Sequence, residues 1–130
     1  MATIQSYCAK EVFDPPGYAQ AMKVTGANAV LFLSGQVAYD EKGQPAHRGD
    51  FTAQARAVFQ AIKAQVEAGG GTLANVVKLN YYLTDMRHRA ELIPVREEFF
   101  GKKMPASTLV AVDALAHPDW MIEVEAIAVL

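Results

Sequence analysis

Trp120-Met121-Ile122-Glu123-Val124-Glu125-Ala126-Ile127-Ala128-Val129-Leu130 closes the chain, and its alternating pattern reads as a long β-strand. Glu123 and Glu125 stand two residues apart in an otherwise apolar pattern, so both point to one face of a sheet, roughly 7 Å apart along the strand. A second run reads the same way: Val77, Leu79, Tyr81 and Leu83 interleave with Lys78, Asn80, Tyr82 and Thr84.

The cover for these strands comes from helices. Asp50 is placed to cap one in which Phe51, Ala55, Val58, Phe59, Ile62 and Val66 follow the i, i+3/i+4 rhythm of a buried stripe. Gly69-Gly70-Gly71 ends it, because glycine enters the left-handed conformation at little cost. Asp85 is placed to cap a second helix, with Leu92, Val95, Phe99 and Phe100 on one side and Gly101 as its stop. Nearer the N-terminus, Ala19–Thr25 and Ala29–Gln36 read as strands joined by a tight hairpin at Gly26-Ala27-Asn28. The second of them carries Val30-Leu31-Phe32-Leu33, the composition of a central strand covered on both faces. Residues up to Asp14-Pro15-Pro16-Gly17 read as an irregular lead-in, Asp40–Gly49 as a loop and Thr108–Val112 as a short strand. The expected order is β-β-α-β-α-β-β, one α+β domain over 1–130, a mixed sheet with two helices on one face. Two helices leave the other face bare, and a further copy of the chain is the economical cover.

Composition narrows the function. A chain of 130 residues, 52% hydrophobic and 20% charged, suits one globular domain. A formal net charge of −2 argues against a nucleic-acid partner, since backbone binding depends on Lys and Arg neutralising phosphates. Cys8 is the only cysteine, so no intramolecular disulfide forms and a reducing, cytoplasmic setting is expected. The longest purely apolar runs, Ala29–Leu33 and Ala126–Leu130, fall far short of the roughly 20 residues of a membrane helix, so no membrane partner is expected. His47, His88 and His117 are widely spaced and Cys8 has no thiol neighbour, which argues against a metal site. Gly69–Gly71 follows a helix and lacks the Gly-Lys-Ser/Thr of a phosphate loop, and no G-x-S-x-G elbow is present.

Three groups of residues remain as candidates for chemistry. Glu123 and Glu125 read either as rim charges satisfied by salt bridges or as a general acid/base in an interface cleft. Ser34-Gly35-Gln36 reads either as a turn leaving a strand or as a place where backbone and hydroxyl approach a ligand closely. Tyr18 is either a core aromatic or a pocket wall with a polar tip.

Tyr18-Ala19-Gln20-Ala21, Leu33-Ser34-Gly35-Gln36, Asn75-Val76-Val77-Lys78, Phe99-Phe100, Pro105-Ala106 and Ile122-Glu123-Val124-Glu125-Ala126-Ile127-Ala128 together resemble the RidA (YjgF) family, also called endoribonuclease L-PSP. The resemblance runs from about Tyr18 to Val129. It implies a chorismate-mutase-like fold, a homotrimer with a cleft at each subunit interface, and a small-molecule ligand. It further implies cofactor-free, metal-free hydrolysis of enamines and imines to 2-oxo acids and ammonia. It makes Glu123 the water-positioning carboxylate and Tyr18, Ser34 and Gly35 cleft residues. The arginine that grips a substrate carboxylate in such proteins is replaced by Ser107, the cysteine usual two residues later by Leu109, and a helix asparagine by Ile93. Arg87, Arg89 and Arg96 are the cations near the second helix that stand in for it if any does. Ordinary 2-imino acid deamination is therefore expected to be weak or absent, leaving a deaminase of altered specificity or a non-catalytic binder. The ribonuclease activity in the older name is disfavoured by the charge.

Overall fold

The computed structural model describes residues 2–130. In order come β1 (Thr3–Tyr7), β2 (Ala21–Thr25), β3 (Val30–Gln36), α1 (Phe51–Ala68), β4 (Val76–Leu83), α2 (Arg89–Phe100), β5 (Ala106–Ala111) and β6 (Ile122–Val129), with 3-10 turns at Leu73–Asn75 and Met86–His88. The main sheet has the order β3-β6-β4-β5. β4 and β5 are parallel, and β6 runs antiparallel to both β3 and β4. β1 and β2 form a separate antiparallel ribbon, and Ala19 bridges it to Ala106 at the start of β5.

Both helices lie on one face. Leu79, Tyr81 and Leu83 of β4 and Ile122, Val124, Ala126 and Ala128 of β6 form one buried cluster with the α1 stripe and with Leu92 and Val95 of α2. Asp50 caps α1, its carboxylate accepting from the Ala53 amide at 3.0 Å. After α1, Gly70 takes φ +97, the left-handed turn that ends the helix. Phe99 and Phe100 close the end of the core, their rings 5.4 and 5.8 Å from Phe59. Gln54, fully buried, ties α1 to two loops: its Nε2 donates to Ala46 O at 3.2 Å and to Asp119 O at 2.8 Å, and its Oε1 accepts from the Met121 amide at 2.9 Å. No helix among the described residues is long and apolar enough to cross a membrane.

The structure corrects four expectations. The lead-in contains β1, so the order is β-β-β-α-β-α-β-β; an exposed ribbon strand has no buried side to imprint on its sequence. Gly26-Ala27-Asn28 is no hairpin, because β2 pairs with β1 and β3 with β6, while the Asn28 amide donates to Leu130 O at 2.6 Å. β3 is an edge strand covered on one face only, with Phe32 78% exposed. Asp85 caps the 3-10 turn ahead of α2, accepting from the Arg87 amide at 2.9 Å, and α2 begins four residues later, at Arg89.

Candidate functional site

Residues paired across a ladder share a face, so the register sorts the candidates. Tyr82 stands opposite Glu123 and Asn80 opposite Glu125. These residues, with Lys78, lie on the face that the helices leave open, because the intervening Leu79, Tyr81 and Leu83 are buried beneath the helices. Val30, Phe32 and Ser34 of β3 alternate onto the same face, all exposed. Thr108 of β5 joins them, accepting from Lys78 Nζ at 3.1 Å.

The two glutamates are held differently. Glu125 accepts a very short hydrogen bond from the Tyr82 hydroxyl and a longer one from Asn80 Nδ2 at 3.4 Å. The bond to Glu125, reinforced by burial, holds the Tyr82 hydroxyl above its ordinary pKa. Glu123 has no hydrogen-bond or ion-pair partner among the described residues. It is partly buried, and burial together with the nearby Glu125 charge raises its pKa above the usual carboxylate range. Its side chain fills the space where Gly35 lacks one: a Cβ built on Gly35 would come within 2.7 Å of Glu123 Cδ. The ladder shifts register between Leu33 and Gln36, and Gln36 Nε2 donates to Ser34 O at 3.0 Å, so the Ser-Gly segment kinks beside this carboxylate.

Ser107 and Leu109 are elsewhere. They pair with Leu79 and Tyr81, which places them on the helix side of the sheet, at the β5 edge. Leu109 packs partly against the core. Ser107 and Glu123 thus occupy opposite faces, and one copy of the chain cannot bring them together. Tyr18 lies near the start of β5, where the amide of Ala19 donates to Pro105 O at 3.3 Å. Its ring lines a groove of about 790 Å³ with Pro15, Pro16, Phe99 and Met104. Asn80 and Tyr82, which hold Glu125, were not among the sequence candidates. Their alternation with buried residues placed them on a strand face, but the register that sets them against Glu125 was not readable.

A four-stranded mixed sheet under two helices, with a kinked Ser-Gly and a free carboxylate on its open face, defines a Rid-type domain. The Rid-family protein YyfB of Yersinia pestis superposes with a TM-score of 0.86 at 26% identity, over 98% of each chain. Residues 14–130 match the family described as Endoribonuclease L-PSP, and the chain belongs to that family. A RutC family protein of Pyrococcus horikoshii is 41% identical over 111 residues, 85% of either chain. The 3-aminoacrylate deaminase RutC of Acinetobacter baylyi is 32% identical over 114 residues, 88% of this chain and 90% of its own.

Proposed function

We propose that this protein is a cofactor-free hydrolase of a small enamine or imine other than the standard 2-imino acids, working in clefts between the subunits of a cytoplasmic homotrimer. Glu123 carries the reading: a partly buried carboxylate, seated on Gly35 and free of protein partners among the described residues, on a sheet face that also leaves Val30 and Phe32 exposed. The division of Ser107 from Glu123 across the sheet supports the assembly, because only a second copy laid on the open face unites the two halves. The relative named as a 3-aminoacrylate deaminase supports the reaction class.

In this mechanism an enamine takes a proton from solvent at carbon and becomes a protonated imine. Glu123 takes a proton from water as the water oxygen adds to the imine carbon, giving a carbinolamine. The proton returns to nitrogen, and the carbon–nitrogen bond breaks to release ammonia as the hydroxyl becomes a carbonyl, its proton passing to Glu123 and from there to the ammonia, which departs as ammonium. Burial suits Glu123 to this task, since a raised pKa makes it a stronger base near neutral pH. Ser34 and Gly35 offer the hydroxyl and backbone groups that line its approach.

Specificity follows from Ser107. A guanidinium binds a carboxylate as a charged fork, whereas a serine offers one neutral donor. Hydrogen bonds to charged groups contribute about 1.5–3 kcal/mol against about 1 for neutral ones, so losing a bidentate pair weakens an α-carboxylate roughly a hundredfold. Ammonia release from 3-aminoacrylate and from 2-iminopropanoate, each generated in situ, tests the proposal. Turnover of the former, lost in Glu123→Ala, is expected. A rate on 2-iminopropanoate equal to that of an arginine-bearing homologue would refute the specificity. The same loss of the arginine favours a second reading, a binder without turnover, in which Glu123→Ala alters ligand affinity and no enamine or imine is consumed.

A further inference from the structure

Glu123 and Glu125 lie on one face of β6, a single same-face step of about 7 Å apart, a gap that two glutamate side chains span. Their carboxyl groups nevertheless point apart. β3 and β4 flank β6 on opposite sides, and each glutamate leans toward a different one. Glu123 leans toward β3, into the space over Gly35, where a Cβ would come within 2.7 Å of its Cδ. Glu125 is drawn toward β4, its Oε1 accepting from the Tyr82 hydroxyl and, at 3.4 Å, from Asn80 Nδ2. The ladder sets Tyr82 opposite Glu123, so its hydroxyl reaches diagonally to make the bond with Glu125. The ring of Tyr82 thus stands on the β4 side of Glu123 while its tip fastens the neighbouring glutamate.

The surroundings leave this tether to Tyr82 and Asn80. On β4 the charged neighbour is Lys78, and its Nζ donates to Thr108 Oγ1 at 3.1 Å, toward β5. β5 adds Thr108 and Val110 to the face, and β3 adds Val30, Phe32 and Ser34, none of them ionisable. The bond to Glu125, with burial, holds the Tyr82 hydroxyl above its ordinary pKa, so it stays a donor throughout the range in which carboxylates titrate. We infer that Tyr82 is a positioning residue for Glu123: by tethering Glu125 to the β4 side of the sheet it keeps the two carboxylates apart, so that Glu123 works as a lone base and not as half of a proton-sharing pair. Two carboxyl groups that share a proton resist ionising together, and the second proton leaves only at raised pH. A base caught in such a pair stays occupied where a lone carboxylate is free. The catalytic consequence rests on the proposed function; the separation of the two carboxylates does not.

Tyr82→Phe keeps the ring on the open sheet face and removes only the hydroxyl. Carbon-13 NMR of glutamate carboxyls, with Glu123→Gln and Glu125→Gln to assign the two signals, follows the pair as pH rises. Tyr82→Phe is expected to raise the upper midpoint of the pair by at least about one pH unit, a tenfold change in proton affinity. In a Glu125→Gln background the same substitution should bring no rise in the Glu123 midpoint, because the released group can no longer share a proton as a carboxyl. The acid limb of enamine hydrolysis should move upward with the midpoint, at a loss of about tenfold in activity on the acid side. An unmoved midpoint in Tyr82→Phe, or a rise that persists with Glu125→Gln also present, overturns the inference. A raised midpoint in a protein that turns over no enamine or imine sinks the proposed reaction and leaves the tether standing.

Discussion

Replacing Gly35 with alanine tests the seat of Glu123 directly. Gly35 has no positive φ, so its backbone is open to any residue. The new methyl group would fall within 2.7 Å of Glu123 Cδ and 2.9 Å of Cγ, far inside van der Waals contact. Either the glutamate swings out of its site or β3 and β6 part locally, and overpacking of this kind costs about 1–3 kcal/mol. Displacement of a reacting group by about 1 Å can lower turnover a hundredfold. Gly35→Ala is therefore expected to cut enamine hydrolysis by one to two orders of magnitude, with a moderate loss in urea unfolding. A double-mutant cycle isolates the cause: in a Glu123→Ala background the methyl group meets empty space, so Gly35→Ala should cost almost nothing in stability. An equal penalty in both backgrounds would show that Gly35 serves the backbone and not the carboxylate.

Protonation of Glu123 gives a second test. Its folded pKa lies above its ordinary value of 4.5, so its stabilising share is full below that value and is lost as pH rises through the folded pKa. Glu123→Gln should be more stable than the native protein at pH 7 and indistinguishable below pH 4.5 by denaturant titration. As a base, Glu123 should place the acid limb of the activity profile above pH 4.5, and Glu125→Gln, which removes a repelling charge, should move that limb downward. Gln54→Ala should cost about 2–4 kcal/mol in urea unfolding, because it strips partners from the Met121 amide and the Asp119 carbonyl. If the proposed trimer forms through the bare sheet face, Phe32→Asp should leave the domain folded but shift sedimentation toward the monomer; an unchanged sedimentation coefficient would exclude this face from any interface.

The helices were legible because their signals are local. The Asp50 carboxylate, the stripe from Phe51 to Val66 and the glycines after it each act within a turn or two of their own position. Strand identity was legible for β4 and β6, where one buried side enforces alternation. Partner choice was not, because the pairing of β3 with β6 joins residues almost a hundred positions apart and leaves no trace in either segment. The exposed Thr3–Tyr7 strand carried even less signal. At the site, the spacing of Glu123 and Glu125 predicted their shared face, and the need for glycine at position 35 became concrete once a side chain was found in its space. The placement of Ser107 across the sheet from Glu123 depended on registers that only the assembled ladder supplies.

That placement has a genetic consequence. If each pocket draws Glu123 from one protomer and the residue 107 edge from the next, two disabled variants, Glu123→Ala and a bulky Ser107→Trp, carry complementary lesions. Refolded together in equal amounts, they should form hybrid rings in which about a quarter of the pockets inherit both intact halves. Activity would then arise from a mixture of two dead proteins.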